Sequence, residues 1–524
     1  MVAGSGVQTD IGKSGRPWWE SRWHVAALVL VAMIPLVYPA VPPLVDLPGH
    51  MGRYRIELDL AQSPELQRYF RFQWQGIGNL GVDLAVWPLA KLVGLEPAVK
   101  VIVMAIPALT VGGFLWVARE VHHRLPPTAF FALPLVYSFP FLFGFVNFAL
   151  GMALAMCAFG LWLRLGRTNR GALRTALFVP ISIVIFFTHA FAWGTLGLLC
   201  FSAEAVRQHD KGLNWWRAGF AAAYRASVMS LPVIFMLLWR GEEARQLTFG
   251  WFDWIKKWEW IYSVLRDRWK IYDIASVSVL GIVLAFAFFH RRLEFSRNLA
   301  FSALVLLAAF LILPWTVFGS AYADMRLMPF IVALALLAIR FRGQTDLPLA
   351  RGLAIAAVCL YAIRIVGSTA SLAIAADEQE AKLEALNHIP RGAAMVTFVG
   401  QRCTGTWPLF RNSHLSGMAI VRRNAFSNDQ WTISGANLLR VVYYKAGRFT
   451  ADPSQMVRAK ECATVGIPSL RRAMRLLPRD AFDYLWLITP PPHDPRVLDG
   501  LTLIWKGEDS ALYAIQHTPA YEAP

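Results

Sequence analysis

The stretch Asp46-Leu-Pro-Gly-His50-Met-Gly-Arg53-Tyr-Arg55 puts a carboxylate, an imidazole and two guanidinium groups into ten residues, just after the first long apolar run. A carboxylate can take a proton from a hydroxyl or amine that attacks a substrate, and an imidazole can pass that proton on. The fork of an arginine matches phosphate oxygens bidentately. The same residues also permit a plainer reading, in which Asp46 pairs with Arg53 or Arg55 and only closes a polar loop.

Other polar side chains stand where the surrounding sequence is apolar, and such groups are costly at membrane depth. Asn147 and His189 lie in short turns between apolar runs, and Asp324 and Arg326 enter another run. Asn147 reads as a helix cap or a ligand, and His189 as a packing histidine or a site residue. Asp324 and Arg326 read as a local ion pair or as part of a site. Arg364 falls about 12 residues into a run, roughly 18 Å along a helix. A mid-span arginine needs a counter-charge or a phosphate, so Arg364 joins Arg53, Arg326, His189 and Asn147 as a candidate for binding substrate phosphate.

These residues must be held by membrane helices. Of 524 residues, 56% are hydrophobic and 16% charged, against about 25% charged in soluble domains. Apolar runs recur near 24–44, 97–118, 127–145, 148–164, 175–188, 190–206, 225–240, 273–290, 298–316, 327–340 and 352–374. They predict about eleven transmembrane helices, the first long enough to cross a bilayer and to deliver Asp46 to the far side. The gaps holding Arg119 and Arg124, Arg164 to Arg174, Arg207 to Arg225, Arg291 to Arg297, and Arg340 to Arg351 alternate with gaps poor in basic residues. That bias puts the N-terminal segment 1–23 in the cytoplasm, ahead of an uncleaved first span that opens the 24–374 membrane domain, and the C-terminus outside. It also accounts for the net charge of +17 without nucleic acid, since the arginines form no single basic face.

Two outside loops are long. The first, 45–96, reads as a surface helix, a Gly/Asn turn and a helix too short to span. The second, 241–272, carries Trp251-Phe-Asp-Trp-Ile-Lys-Lys-Trp-Glu-Trp260, which suits an interfacial anchor helix. From 375 to 524 the composition becomes that of a small α/β domain with an amphipathic helix from Ala376, strand-like runs at 394–399, 484–489, 501–505 and 511–515, and a hairpin around Lys506. Cys403 and Cys462 are a disulfide candidate if this region lies outside the cytoplasm. Their spacing is not that of metal ligands.

On the Asp46–His50 stretch, the long helical first loop, the odd span count and the external C-terminal domain, the chain resembles the polytopic glycosyltransferases of the GT-C class. The resemblance implies transfer of a sugar from a polyprenyl-phosphate carrier to an acceptor at the outer face of a bacterial inner membrane, with residues 375–524 in the periplasm. It implies Asp46 as the catalytic carboxylate and His50 as the trailing histidine. Many members carry an acidic pair here, whereas Leu47 follows Asp46. A second carboxylate then falls to Glu57, Asp59, Asp83 or none, and a divalent metal is permitted without being indicated. A transporter or flippase of lipid-linked sugars, and a non-catalytic envelope protein, are the competing readings.

Overall fold

The computed structural model describes residues 17–238, 247–403, 405–433 and 437–516. The leading segment expected in the cytoplasm lies mostly outside these residues, as does the start of the 241–272 loop. Among the described residues five helices are long and apolar enough to cross a membrane: Leu95–His122, Val146–Arg167, Gly171–Thr188, Lys270–Phe289 and Leu347–His388. A sixth span forms if the Trp215–Met229 and Pro232–Leu238 pair, bent by 69°, counts as one. Arg22–Leu36, Pro127–Leu142, Arg297–Ile312 and Met325–Leu337 are apolar but shorter.

The first apolar run is not the single helix its hydropathy predicts. The α-helix Arg22–Val31 gives way to a 3₁₀ turn at Ile34–Leu36, and residues 37–46 carry no helix. Pro35 lacks the N–H that would bond the Val31 carbonyl, and Pro39, Pro42 and Pro43 supply none further on, so the chain leaves the helix early and reaches Asp46 without regular structure. Leu47-Pro-Gly forms the first turn of the helix Leu47–Asp59, with Asp46 at its N-cap and Pro48 near the start, where proline is tolerated.

The C-terminal unit has a five-stranded sheet. Its strands are β4 (Met395–Gln401), β6 (Met456–Arg458), β7 (Tyr484–Ile488), β8 (Leu501–Lys506) and β9 (Ser510–Ile515), ordered β6-β4-β7-β9-β8. β4 pairs in parallel with β6 and β7, while β9 is antiparallel to both β7 and β8. The remaining strands form two-stranded ribbons: β1 (Phe70–Phe72) with β5 (Leu439–Val441), and β2 (Leu293–Phe295) with β3 (Ile339–Phe341). Cys403 and Cys462 are bonded to each other, with Cα atoms 5.4 Å apart.

The boundary near residue 375 is blurred in two places. The helix Leu347–Leu383 runs straight through it, so the amphipathic segment from Ala376 is the end of the last apolar helix. The first loop also belongs to the core of the C-terminal unit. Ile56, Leu66, Tyr69 and Phe70 pack in one buried cluster with Val396, Phe398, Phe426 and Leu485, and β1 completes a ribbon with β5. Gly417 allows the short helix Gly417–Arg423 to lie directly on Leu47–Asp59, since a Cβ there would sit 2.5 Å from the Pro48 carbonyl oxygen.

Arg364 is spoken for inside the fold. Its Nη1 donates to Asp273 Oδ1 at 2.7 Å and its Nη2 to the Leu265 carbonyl at 3.1 Å, while Trp407 Nε1 donates to the other Asp273 oxygen at 2.7 Å. The phosphate role expected of Arg364 therefore gives way to a buried pair joining the last apolar helix, Lys270–Phe289 and the C-terminal unit. Removing one charge strands the other, at about 3–5 kcal/mol. Arg364→Met is expected to lower stability by that amount, and Arg364→Met with Asp273→Leu to recover much of it. Thermal unfolding in detergent reads both; equal loss in the single and double variants would contradict the pairing.

Candidate functional site

Asp46 is positioned by three segments. Its backbone N–H donates to the Phe143 carbonyl at 3.0 Å, and its own carbonyl accepts from the His50 N–H at 3.1 Å. Gly144, at φ +98°, lets the 143–146 turn come this close, because a Cβ there would lie 2.7 Å from the Asp46 nitrogen. The carboxylate does not cap its helix and takes no hydrogen bond from the described residues. It is 8% exposed.

Its charged neighbour comes from the C-terminal unit. His414 Nε2 lies 3.8 Å from Asp46 Oδ1 and 3.8 Å from Asp452 Oδ1. His414 Nδ1 is 3.1 Å from the Asp429 carbonyl oxygen. A carbonyl only accepts, so Nδ1 carries a hydrogen and Nε2 is the nitrogen turned toward the two carboxylates. Trp431 packs against both imidazoles, with centroids 4.3 Å from His414 and 4.8 Å from His50. Burial lifts the Asp46 carboxyl to about 7, with His414 pulling it back, Asp452 pushing it further up and Arg326 pulling it down. A carboxyl poised there exchanges its proton near neutral pH, as a general base must. His50 is held neutral: burial first, then Arg53, His414 and Arg326, push its imidazole well below the ordinary range.

Arg326 is the unusual member of the group. Its neighbour Asp324 does not pair with it. Asp324 bonds Lys257 Nζ at 3.1 Å and the Met325 N–H at 2.9 Å. Lys257 also reaches the Phe310 and Leu313 carbonyls at 2.7 and 2.9 Å, and so turns inward from the Trp254–Tyr262 helix whose Trp254, Ile255 and Trp258 are exposed. Arg326 keeps one bond to the Ala321 carbonyl at 3.1 Å, its Nε has no partner, and no carboxylate among the described residues lies within ion-pair distance. It is 5% exposed and sits 4.2 Å over the Phe145 ring, with Phe148 and Phe191 beyond. Asp46 acts on this buried, aromatic-walled guanidinium only through its field, without an ion pair.

The other expected site residues are placed differently. Arg53 is paired with Asp83 at 2.8 Å in a buried bridge. Asn147 belongs to the same network: its Nδ2 donates to Asp83 Oδ2 at 3.0 Å and to the Asn79 carbonyl at 2.9 Å, and its Oδ1 accepts from the Val82 N–H at 2.6 Å. Arg53 and Asn147 thus hold the Gly81–Val93 helix against the first loop, with the Arg53 Nε left without a partner. His189 caps the helix Ala190–Asp210, its Nδ1 accepting from the Phe191 N–H at 3.2 Å, and stands beside Phe148 within the field of Arg326. Of the three carboxylates open as a second acid, Asp83 is tied to Arg53 and Asp59 to Arg55. Glu57 is pushed up to about 8 by burial and by Asp83. The second carboxylate facing the Asp46 group is Asp452, which the sequence did not single out. Among the described residues no three His, Cys, Asp or Glu side chains gather as metal ligands.

No family model matches the sequence, and no curated protein does. Two crystal structures of ArnT from Cupriavidus metallidurans follow a similar chain course. The apo structure is 11% identical with a TM-score of 0.49, and the structure bound to undecaprenyl phosphate is 12% identical with a TM-score of 0.49. Each alignment covers 94% of this chain and 97% of that one.

The charge arrangement makes a prediction that needs no substrate. The Asp46 carboxyl should titrate near pH 7, seen as a protonated C=O stretch in infrared difference spectra that Asp46→Asn deletes. Asp452→Asn removes a negative neighbour and should move that titration down, and His414→Gln removes the group that pulls it down and should move it up. A titration unmoved by both variants would separate the C-terminal unit from the site.

Proposed function

We propose that the chain is an integral-membrane glycosyltransferase that moves a sugar from a polyprenyl-phosphate carrier to an acceptor at the external face of a bacterial inner membrane. In this reading the apolar runs make about eleven crossings, the N-terminus is cytoplasmic and the C-terminal unit lies in the periplasm. The observation that carries the proposal is the pairing of a buried, unbonded Asp46 with a buried Arg326 that has no carboxylate of its own.

The chemistry follows from that pair. The acceptor's hydroxyl or amine attacks the anomeric carbon as the bond from that carbon to the phosphate oxygen breaks. Asp46 takes the acceptor's proton, and the carrier phosphate leaves with the bonding electrons and gains negative charge. Arg326 faces that charge, and its stabilisation grows as the bond breaks. Phe145, Phe148 and Phe191 offer the carrier's tail an apolar surface. His414, bridging Asp46 and Asp452, gives the abstracted proton a route toward the C-terminal unit.

The test compares surface glycans and polyprenyl-phosphate sugars in a deletion strain complemented by wild type, Asp46→Asn or Arg326→Gln. A specific sugar should vanish on deletion and return only with wild type. In purified protein, Asp46→Asn should cost at least about 10² in rate, and Arg326→Gln about 10- to 10²-fold in kcat/KM for the donor. Because Asp46 must be ionised to act, kcat/KM should climb as pH rises through about 7. Full complementation by Asp46→Asn would sink the assignment.

A further inference from the structure

A second cavity, of about 740 Å³, lies far from Asp46. Two helices act as rulers. In Leu95–His122, Glu96 bonds Arg422 of the C-terminal unit at 3.1 Å, whereas Arg119, on the cavity, is 23 residues further on, roughly 35 Å along the axis. In Val146–Arg167, Asn147 touches Asp83 at the Asp46 end, and Arg167 bonds Glu120 at 2.7 Å at the other. Both place the cavity at the opposite ends of the membrane helices, about one bilayer core away.

Its lining is two-faced. Trp19, Leu115 and Leu347 form apolar walls, and Arg119, Arg124 and Arg351 stand around the mouth. Glu20 is the one carboxylate there, and it lies 3.9 Å from Arg124. Arg119 and Arg351, both exposed at the surface, make no hydrogen bond or ion pair with any other described side chain, so two guanidinium groups stand beside apolar walls without a carboxylate partner among the described residues. A soluble anion would satisfy the arginines and leave the walls bare. A molecule with a phosphate at one end and hydrocarbon at the other satisfies both, and basic pockets between helices on the cytoplasmic side bind such head groups.

We propose that this cavity binds an anionic phospholipid of the leaflet opposite the Asp46 site, with its phosphate between Arg119 and Arg351 and acyl chain against Trp19, Leu115 and Leu347. The proposal stands independently of the transferase reading, because no residue of the Asp46 group takes part.

The probe is dioleoylphosphatidylglycerol added to the full-length protein in detergent, with dioleoylphosphatidylcholine as comparison, read by native mass spectrometry. Wild type should hold one phosphatidylglycerol in preference to phosphatidylcholine. Arg119→Gln with Arg351→Gln should weaken that binding about tenfold or more, and each single variant part of the way, which covers a double variant that folds poorly. Arg170→Gln with Arg291→Gln removes the same charge from the same side away from the cavity, and should leave affinity within about twofold. Equal binding of the two lipids, equal loss in both double variants, or full competition by glycerol 1-phosphate would each overturn the proposal.

Discussion

A charge buried at membrane level must find an opposite charge, and this requirement organises the protein. Arg53 takes Asp83, Arg174 takes Glu204 at 3.0 Å, Lys257 takes Asp324 and Arg364 takes Asp273. Each pair also ties two elements together, so the costs of desolvation are met where the fold needs a joint. Lys257 is the decisive partner. By claiming Asp324, it leaves the adjacent Arg326 buried with no carboxylate among the described residues at ion-pair distance.

The same scheme explains why the site is composite. The helix Leu47–Asp59 follows Asp46 and carries His50; its Leu47, Met51 and Tyr54 pack in the large cluster with the apolar helices, while its Ile56 packs in the core of the C-terminal unit. Docking the two pieces brings His414, Asp452 and Trp431 over Asp46, and screens the carboxyl from water enough to lift it toward neutrality. The buried polar run Ser427-Asn-Asp429-Gln430 supplies the carbonyl that orients His414. Position and electrostatics of the Asp46 carboxyl are thus set largely from outside the apolar helices.

Much of this architecture was legible in the residues. The apolar runs coincide with helices, and the strand-like segments near 394, 484, 501 and 511 are β4, β7, β8 and β9. The first run misled because hydropathy is blind to missing N–H groups, and four prolines, from Pro35 to Pro43, end the helix before the apolar composition ends. Asp46 drew attention by its position. His414 and Asp452 had no comparable signal: each is a lone polar residue in what reads as a loop, and only tertiary packing brings them to Asp46. Partner choice was equally hidden. Asp324 and Arg326 are two residues apart and invite pairing, yet Lys257, from a segment that looks like a surface anchor, reaches in and takes the carboxylate. Short strands such as β1 and β5 escape periodicity because three residues carry no period.

The ribbon of β1 with β5 has a consequence for how the protein is made. Residues 70–72 leave the ribosome early and their partners 439–441 very late, after nearly all the apolar helices have been delivered to the bilayer. Until then the first loop waits with an unpaired strand edge and an uncovered apolar face. The Asp46 centre therefore cannot close until Trp431 and Asp452 have been made, long after the apolar helices of the described residues.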